Sequence, residues 1–180
     1  MPVRAFIAVE VPTPALDVER PGPATAPEHL TVLFLGDVPD PTVPALSTDL
    51  AEGVAPFPPF TLRLQGVGVF PNVDRPRVAW VGVGLGAEAL GQLHDALAPV
   101  ARRHGIAIDA RPFTPHLTLF RVRRPSDADR ARALVDRYRM QEFGATEVRE
   151  LLLKSSDLRA AGPVHRTVAA LPLGGPRMTP

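Results

Sequence analysis

The sequence predicts an α+β fold in which two lobes with antiparallel sheets, related by an approximate twofold axis, face each other across a central cleft. Three observations carry this expectation. Predicted strands outnumber helices and fall in hairpin order. No glycine-rich phosphate loop follows a strand: Gly82, Gly84 and Gly86 do not complete a dinucleotide fingerprint. One short strand pattern occurs twice, half a chain apart.

The elements follow in order. Arg4 to Val11 mixes β-branched and aromatic residues and stops at Pro12, which reads as a strand. Five prolines between Pro12 and Glu28 argue against a regular helix there. Leu30 to Leu35 is an apolar, β-prone run that ends at Gly36. Thr42 can cap a helix from Val43 to about Gly53, with Leu46 and Leu50 on one face. Phe60 to Phe70 and Arg77 to Val83 read as a hairpin across the Pro71–Pro76 turn. Ala87 to Arg103 places Leu90, Leu93, Leu97 and Val100 at helical spacing, with Pro99 as an expected kink and Gly105 past the end. Phe113 to Val122 is a strand, and Ser126 can cap a helix running to about Met140. Thr146 to Lys154 and Val164 to Leu173 read as the last strands, and the end of the chain as a ragged tail.

A chain of 180 residues, 45% hydrophobic, can bury a core, and a single bilobal domain over 1–180 is expected. No apolar run approaches the roughly 18 residues of a membrane span. The apolar stretch Ala5–Val9 is too short for a signal-peptide core. The expectation is a soluble, cytoplasmic monomer. With no cysteine, disulfides, thiolate metal sites and a cysteine nucleophile are excluded. The net charge of +1 gives no case for nonspecific nucleic-acid binding, but its distribution is uneven. Ala101 to Met140 holds ten arginines against four acids. Guanidinium forks bind phosphate oxygens in pairs, although a solvated helix face needs no such partner. Nineteen of the twenty basic residues are arginine, a bias that with 22 prolines looks genomic.

The repeat carries the chemistry. His29-Leu30-Thr31-Val32 and His116-Leu117-Thr118-Leu119 lie 87 residues apart in matching strand contexts. Residues i and i+2 of a strand share a face. His29 and Thr31 therefore point one way and Leu30 and Val32 the other; His116 and Thr118 repeat this over Leu117 and Leu119. Two facing lobes would surround one cleft with two imidazoles and two hydroxyls. One imidazole can accept a proton while the other donates one, and the hydroxyls can hold non-bridging phosphate oxygens. This set suits phosphodiester chemistry and requires no metal.

These motifs resemble those of the 2H phosphoesterases, most closely the RNA 2′,3′-cyclic phosphodiesterases once called 2′-5′ RNA ligases. Arg4 to Pro12 looks like the family's opening strand, Arg77 to Val83 like the strand before its middle helix, and Val148 to Gly162 like its late strand and turn. The resemblance implies two α+β lobes around a cleft and hydrolysis of an RNA-terminal 2′,3′-cyclic phosphate to a 2′-phosphate. The reverse joining through a 2′-5′ linkage is also implied. His29 would protonate the leaving 3′ oxygen, His116 would activate water, and Thr31 and Thr118 would hold the phosphate. Arg121 stands where the subgroup often carries an arginine and would neutralise phosphate charge; a solvated strand arginine explains it equally well. No cofactor or metal is implied; the partners are RNA ends or cyclic nucleotides. The chain departs from the family in its short Pro12–Glu28 interval, where a helix of several turns is usual, and in His165, where an aromatic, often Tyr, is common.

The remaining histidines read as structural: His94 as surface or packing and His104 as a helix-end residue suited to the dipole; His165 could approach the cleft but reads first as a surface or strand-edge residue. Phe34 and Trp80 read as core, while Phe57 and Phe70 could flank the cleft. Two alternatives keep or drop the chemistry: a phosphodiesterase for a small cyclic nucleotide or cyclic ADP-ribose phosphate, and a noncatalytic module that binds RNA ends.

Overall fold

The computed structural model describes residues 2–14, 28–159 and 162–175. The proline-rich 15–27 and the terminal 176–180, for which no helix and a ragged tail are expected, lie outside the described residues. Alternating and continuous apolar runs build eight strands: β1 (Pro2–Glu10), β2 (His29–Pro39), β3 (Phe60–Phe70), β4 (Val78–Val83), β5 (His116–Arg121), β6 (Glu142–Val148), β7 (Glu150–Arg159) and β8 (Gly162–Pro172). Three helices lie between them: α1 (Val43–Val54), α2 (Ala87–Arg103) and α3 (Pro125–Tyr138).

The described strands pair antiparallel in the order β6-β3-β4-β5-β2-β1-β7-β8. β2 and β5 meet at the centre through one residue pair, Leu30 opposite Leu117. Read outward from that seam, each half holds four strands: β2-β1-β7-β8 on one side, β5-β4-β3-β6 on the other. The expected twofold is thus an exchange of β2 with β5 and β1 with β4. One residue, Arg149, separates β6 from β7, yet five strands lie between them in the sheet. The sheet must therefore curl until its two ends approach.

Helices cover the core side. α1 buries Leu46, Leu50 and Val54, and α2 buries Leu90, Leu93, Leu97 and Ala101; they pack on each other and against β8 and β2. α3 turns Ala131, Leu134 and Val135 toward β3. Each fully buried leucine contributes about 1.5–3 kcal/mol relative to exposure. Leu30 and Leu117, at the seam, are both in this core.

Several elements differ from expectation for local reasons. β2 does not stop at Gly36: the glycine takes φ of +68° and the strand bulges there, with Gly36 opposite Ala5 and Phe34 opposite Phe6. The run Thr146–Lys154, expected as one strand, is two, because Arg149 passes the chain from a partner in one half to a partner in the other. Thr42 stands at the N-cap of α1 but makes no side-chain cap hydrogen bond, and Ser126 lies inside α3, whose N-cap is Arg124. The Asp127 carboxylate closes the start of α3, accepting the backbone N–H groups of Arg123 and Arg124 at 3.0 Å each. The Arg123 amide, ahead of the other contacts, holds the Asp127 carboxyl below its ordinary range. α2 runs through Pro99 to Arg103, where His104 Nε2 meets Asp49 Oδ2 of α1 at 2.8 Å.

Candidate active site

Leu30 and Leu117 are paired across the seam and both buried, so their flanking residues lie on the opposite face. Extending the antiparallel register by one residue each way puts His29 opposite Thr118 and Thr31 opposite His116. The two histidines are then diagonal neighbours, about 7–8 Å apart at the backbone. The repeat seen in the sequence becomes a single four-residue constellation.

A second feature makes the halves equivalent. Just after Thr31 the register slips by one residue, with Thr31 opposite Ala8 but Leu33 opposite Ile7. Just after Thr118 it slips in the same way, with Thr118 opposite Trp80 but Phe120 opposite Ala79. Phe34 and Arg121 each stand five residues beyond their histidine, an odd number that would put them on the core face of a regular strand. The two bulges return them to the face of the histidines. Phe34 is accordingly 66% exposed, a correction to its expected place in the core, and Arg121 is exposed beside it in kind. Phe34 and Arg121 occupy equivalent positions at opposite ends of the seam.

Each histidine sits between two aromatic rings. The ring of His29 lies 5.0 Å from Phe6 and 4.9 Å, edge-on, from His165. The ring of His116 lies 5.0 Å, edge-on, from Phe70 and 6.2 Å from Trp80. Trp80, expected in the core, is instead half-buried beside the site. Gly68 makes room for it: a Cβ there would stand 2.3 Å from the indole. His116 Nδ1 lies 2.7 Å from the carbonyl oxygen of Thr114. A carbonyl only accepts, so Nδ1 carries the proton and a neutral ring keeps Nε2 as an acceptor.

Two residues stand at the site where the sequence reading did not place them, His165 and Lys154. His165, expected first at a surface or strand edge, touches both Phe6 and His29. Its Nδ1 is buried with no hydrogen-bond partner among the described residues, as is Trp80 Nε1. Burial first, and the Lys154 charge second, hold its pKa below the ordinary 6.5. Lys154 pairs with Phe6 in the ladder and so shares the face of His29; only 7% of its side chain is exposed. Its Nζ binds Glu10 Oε1, and Glu10 is the cross-strand partner of His29. The one lysine of the chain, placed within an apolar run after Leu151-Leu152-Leu153, is the signal that could have marked it. His94 stacks on Phe113, and Phe57 packs on the core; neither joins the site.

No helix among the described residues is long and apolar enough to cross a membrane. The sequence profile of the 2′-5′ RNA ligase superfamily matches residues 17–158. A protein of Aquifex aeolicus named RNA 2′,3′-cyclic phosphodiesterase is 36% identical over 148 residues, covering 82% of this chain and 78% of its own. One of the same name from Archaeoglobus fulgidus is 34% identical over 178 residues, covering 91% and 97%. Among solved structures, E. coli LigT complexed with 3′-AMP superposes with a TM-score of 0.72 at 26% identity, over 96% of this chain and 99% of LigT. A profile that spans most of the chain, relatives above 30% identity along most of both lengths, and a matching two-half fold lead to one assignment: the chain belongs to the 2′-5′ RNA ligase superfamily.

Proposed function

We propose that the protein hydrolyses 2′,3′-cyclic phosphates at RNA ends to 2′-phosphates, the whole chain acting as one bilobal unit around the seam. The observation that carries this reading is the register at Leu30 and Leu117, which sets two imidazoles and two hydroxyls on one face. The name shared by the relatives supplies the substrate. His116 Nε2 takes a proton from water, whose oxygen attacks phosphorus in line. The bond from phosphorus to the 3′ oxygen breaks, and His29 returns a proton to that oxygen. The fixed proton on His116 Nδ1 supports its place as the base. Thr31, Thr118 and Arg121 bind the non-bridging oxygens, where charge builds during attack. Exposed Phe34 offers a flat surface for the terminal base.

The test is a panel of substrates: a short RNA ending in a 2′,3′-cyclic phosphate, a cyclic mononucleotide and cyclic ADP-ribose phosphate. A 2′-phosphate product on RNA supports the proposal. Turnover of the small substrates alone moves the activity to those, and RNA binding without turnover makes the protein a binding module.

Thr31→Ala and Thr118→Ala each remove one hydroxyl bond to a charged phosphate, worth about 1.5–3 kcal/mol. Each should therefore lower kcat/KM by roughly 10- to 100-fold, and serine should restore most of it. Unchanged kinetics in both would remove the threonines from the phosphate site.

His165 acts through His29 as a positioning residue. His165→Ala removes a wall of the imidazole's seat and should lower kcat, by up to about 100-fold, with little change in KM. His165→Phe keeps the ring and should restore it. The depressed pKa means that the unfolded chain takes up a proton below pH 6.5 that the folded chain resists, so the folded state loses stability there. The phenylalanine variant should lose less stability than the parent on acidification below 6.5. Equal kcat in the alanine variant would give His165 no part in the reaction.

A further inference from the structure

The chain reaches its two histidines in different ways. Ahead of His29 the backbone itself is fastened, because the amide of Val11 donates to the carbonyl oxygen of Glu28 at 3.0 Å. Ahead of His116 it is not. Residues 107–115 lead from the end of α2 to β5 and make no backbone–backbone hydrogen bond among the described residues. Yet this segment presents the carbonyl oxygen of Thr114 to His116 Nδ1 at 2.7 Å. Side chains must therefore place it.

Three contacts do so. Ile108 and Phe113 pack against the core. Asp109 closes the tip of the segment, accepting the Arg111 amide at 2.9 Å and the Arg111 guanidinium at 2.9 and 2.5 Å. The third contact comes from α2. The ring of His94 lies parallel to that of Phe113, with 4.7 Å between centroids and 2° between planes. Only 16% of the His94 side chain is exposed, and its Nδ1 lies 3.1 Å from Asp95 Oδ1. Of the residues held in these ways, Phe113 is the one next to Thr114 in the chain.

Few dihedrals remain free between Phe113 and His116. Pro115 fixes its own φ and confines Thr114 to extended backbone. The ψ of Pro115 is left to aim the Thr114 carbonyl at the imidazole. A Phe113 ring seated between the core and a coplanar imidazole limits how far that dihedral can turn, since any swing breaks the stack. An unseated ring would release it.

We propose that His94 is a positioning residue for the base of the reaction: its stack on Phe113 holds the Thr114 carbonyl against His116 Nδ1 and so keeps Nε2 open to take a proton. This rests on the cyclic-phosphodiesterase reading and deepens it. His94 contributes no atom to the chemistry and acts through the backbone of residues 113–116. Without the stack the carbonyl leaves Nδ1, and the single proton of the neutral ring divides between two nitrogens. A ring protonated at Nε2 has no lone pair facing the substrate and cannot serve as the base.

The test reads the tautomer and the rate separately. In proton–nitrogen NMR spectra of the imidazoles, His116 is identified by its absence from His116→Ala. The parent should carry the His116 proton on Nδ1, and His94→Ala should show both tautomers. On a cyclic-phosphate substrate His94→Ala should lose about 10-fold in kcat with KM within about 2-fold, because the base is displaced and the hydroxyls are not. Phe113→Ala should do the same. The double variant should be no slower than the slower single one, since both remove one stack. His94→Phe keeps a flat ring and should return the tautomer and most of kcat. His94→Leu keeps bulk without a flat face and should not; it also stands in for the alanine variant if that one is unstable. A single tautomer and parental kcat in both His94→Ala and His94→Leu, with only the melting temperature lowered, would overturn the proposal. Full recovery with leucine would do so too. If the parent turns over no cyclic phosphate, the phosphodiesterase reading fails by itself. The tautomer then decides alone: a mixture in His94→Ala upholds the stack as the device that orients His116, and an unchanged spectrum ends it.

Discussion

His29→Ala and His116→Ala are each expected to lower kcat by about 10²–10⁴-fold, the range contributed by one positioned acid or base. Neither side chain is in the core, and each is on the face opposite the buried Leu30 and Leu117. The melting temperature should stay close to that of the parent. The two histidines serve one transition state, one taking a proton as the other gives one. The double variant should therefore be little slower than the worse single variant, since the groups act as a unit. The pH profile separates them. The parent should show a bell, and each single variant should lose one limb: the acid limb with the base, the alkaline limb with the acid. Loss of the acid limb in His29→Ala rather than His116→Ala would exchange their roles. It would also contradict the tautomer set by the Thr114 carbonyl. Rates within a few-fold of the parent in both variants would defeat the two-histidine mechanism.

Much of this site was legible because it depends on the shortest period in protein structure. Alternation along a strand places His29 with Thr31 and His116 with Thr118 without any tertiary information. The repeat implies that two such strands meet. What alternation cannot supply is the break in itself. Phe34 reads as core in the sequence, and the bulge that turns it outward is fixed by pairing with β1. Arg149 carries no turn chemistry that would mark a strand boundary; the break exists because β3 and β1 compete for successive pieces of one β-prone run. Lys154 carries no functional mark in the sequence, and His165 reads first as a strand-edge residue, for a related reason. They come to His29 through the ladder β2-β1-β7-β8, a neighbourhood created by curling strands that are more than a hundred residues distant in sequence.

The seam makes a second large effect predictable, this time in the core. Leu117 is 1% exposed and is held between Leu30 of β2 and Val81 of β4. Leu117→Ala should cost about 2–5 kcal/mol, the lost burial plus the cavity left behind. In a chain of this size that lowers the melting temperature by about 2–4 °C per kcal/mol. Leu134, fully buried in α3, offers a comparison with the same side chain and the same truncation. The two variants should lose similar stability, but their activity should differ. Among the described residues the pair at Leu30 and Leu117 is the ladder contact between the halves, so a cavity there lets β2 and β5 shift against each other. Each shift moves an imidazole, and about 1 Å of misplacement can cost 10²-fold in rate. Under conditions where both variants are folded, Leu117→Ala should lose at least tenfold in kcat while Leu134→Ala stays near the parent. Methionine at 117 refills most of the volume and should recover much of both losses. If the two alanine variants keep equal turnover per folded molecule, the alignment of the histidines is set by the wider fold, and the seam serves only to bury apolar surface.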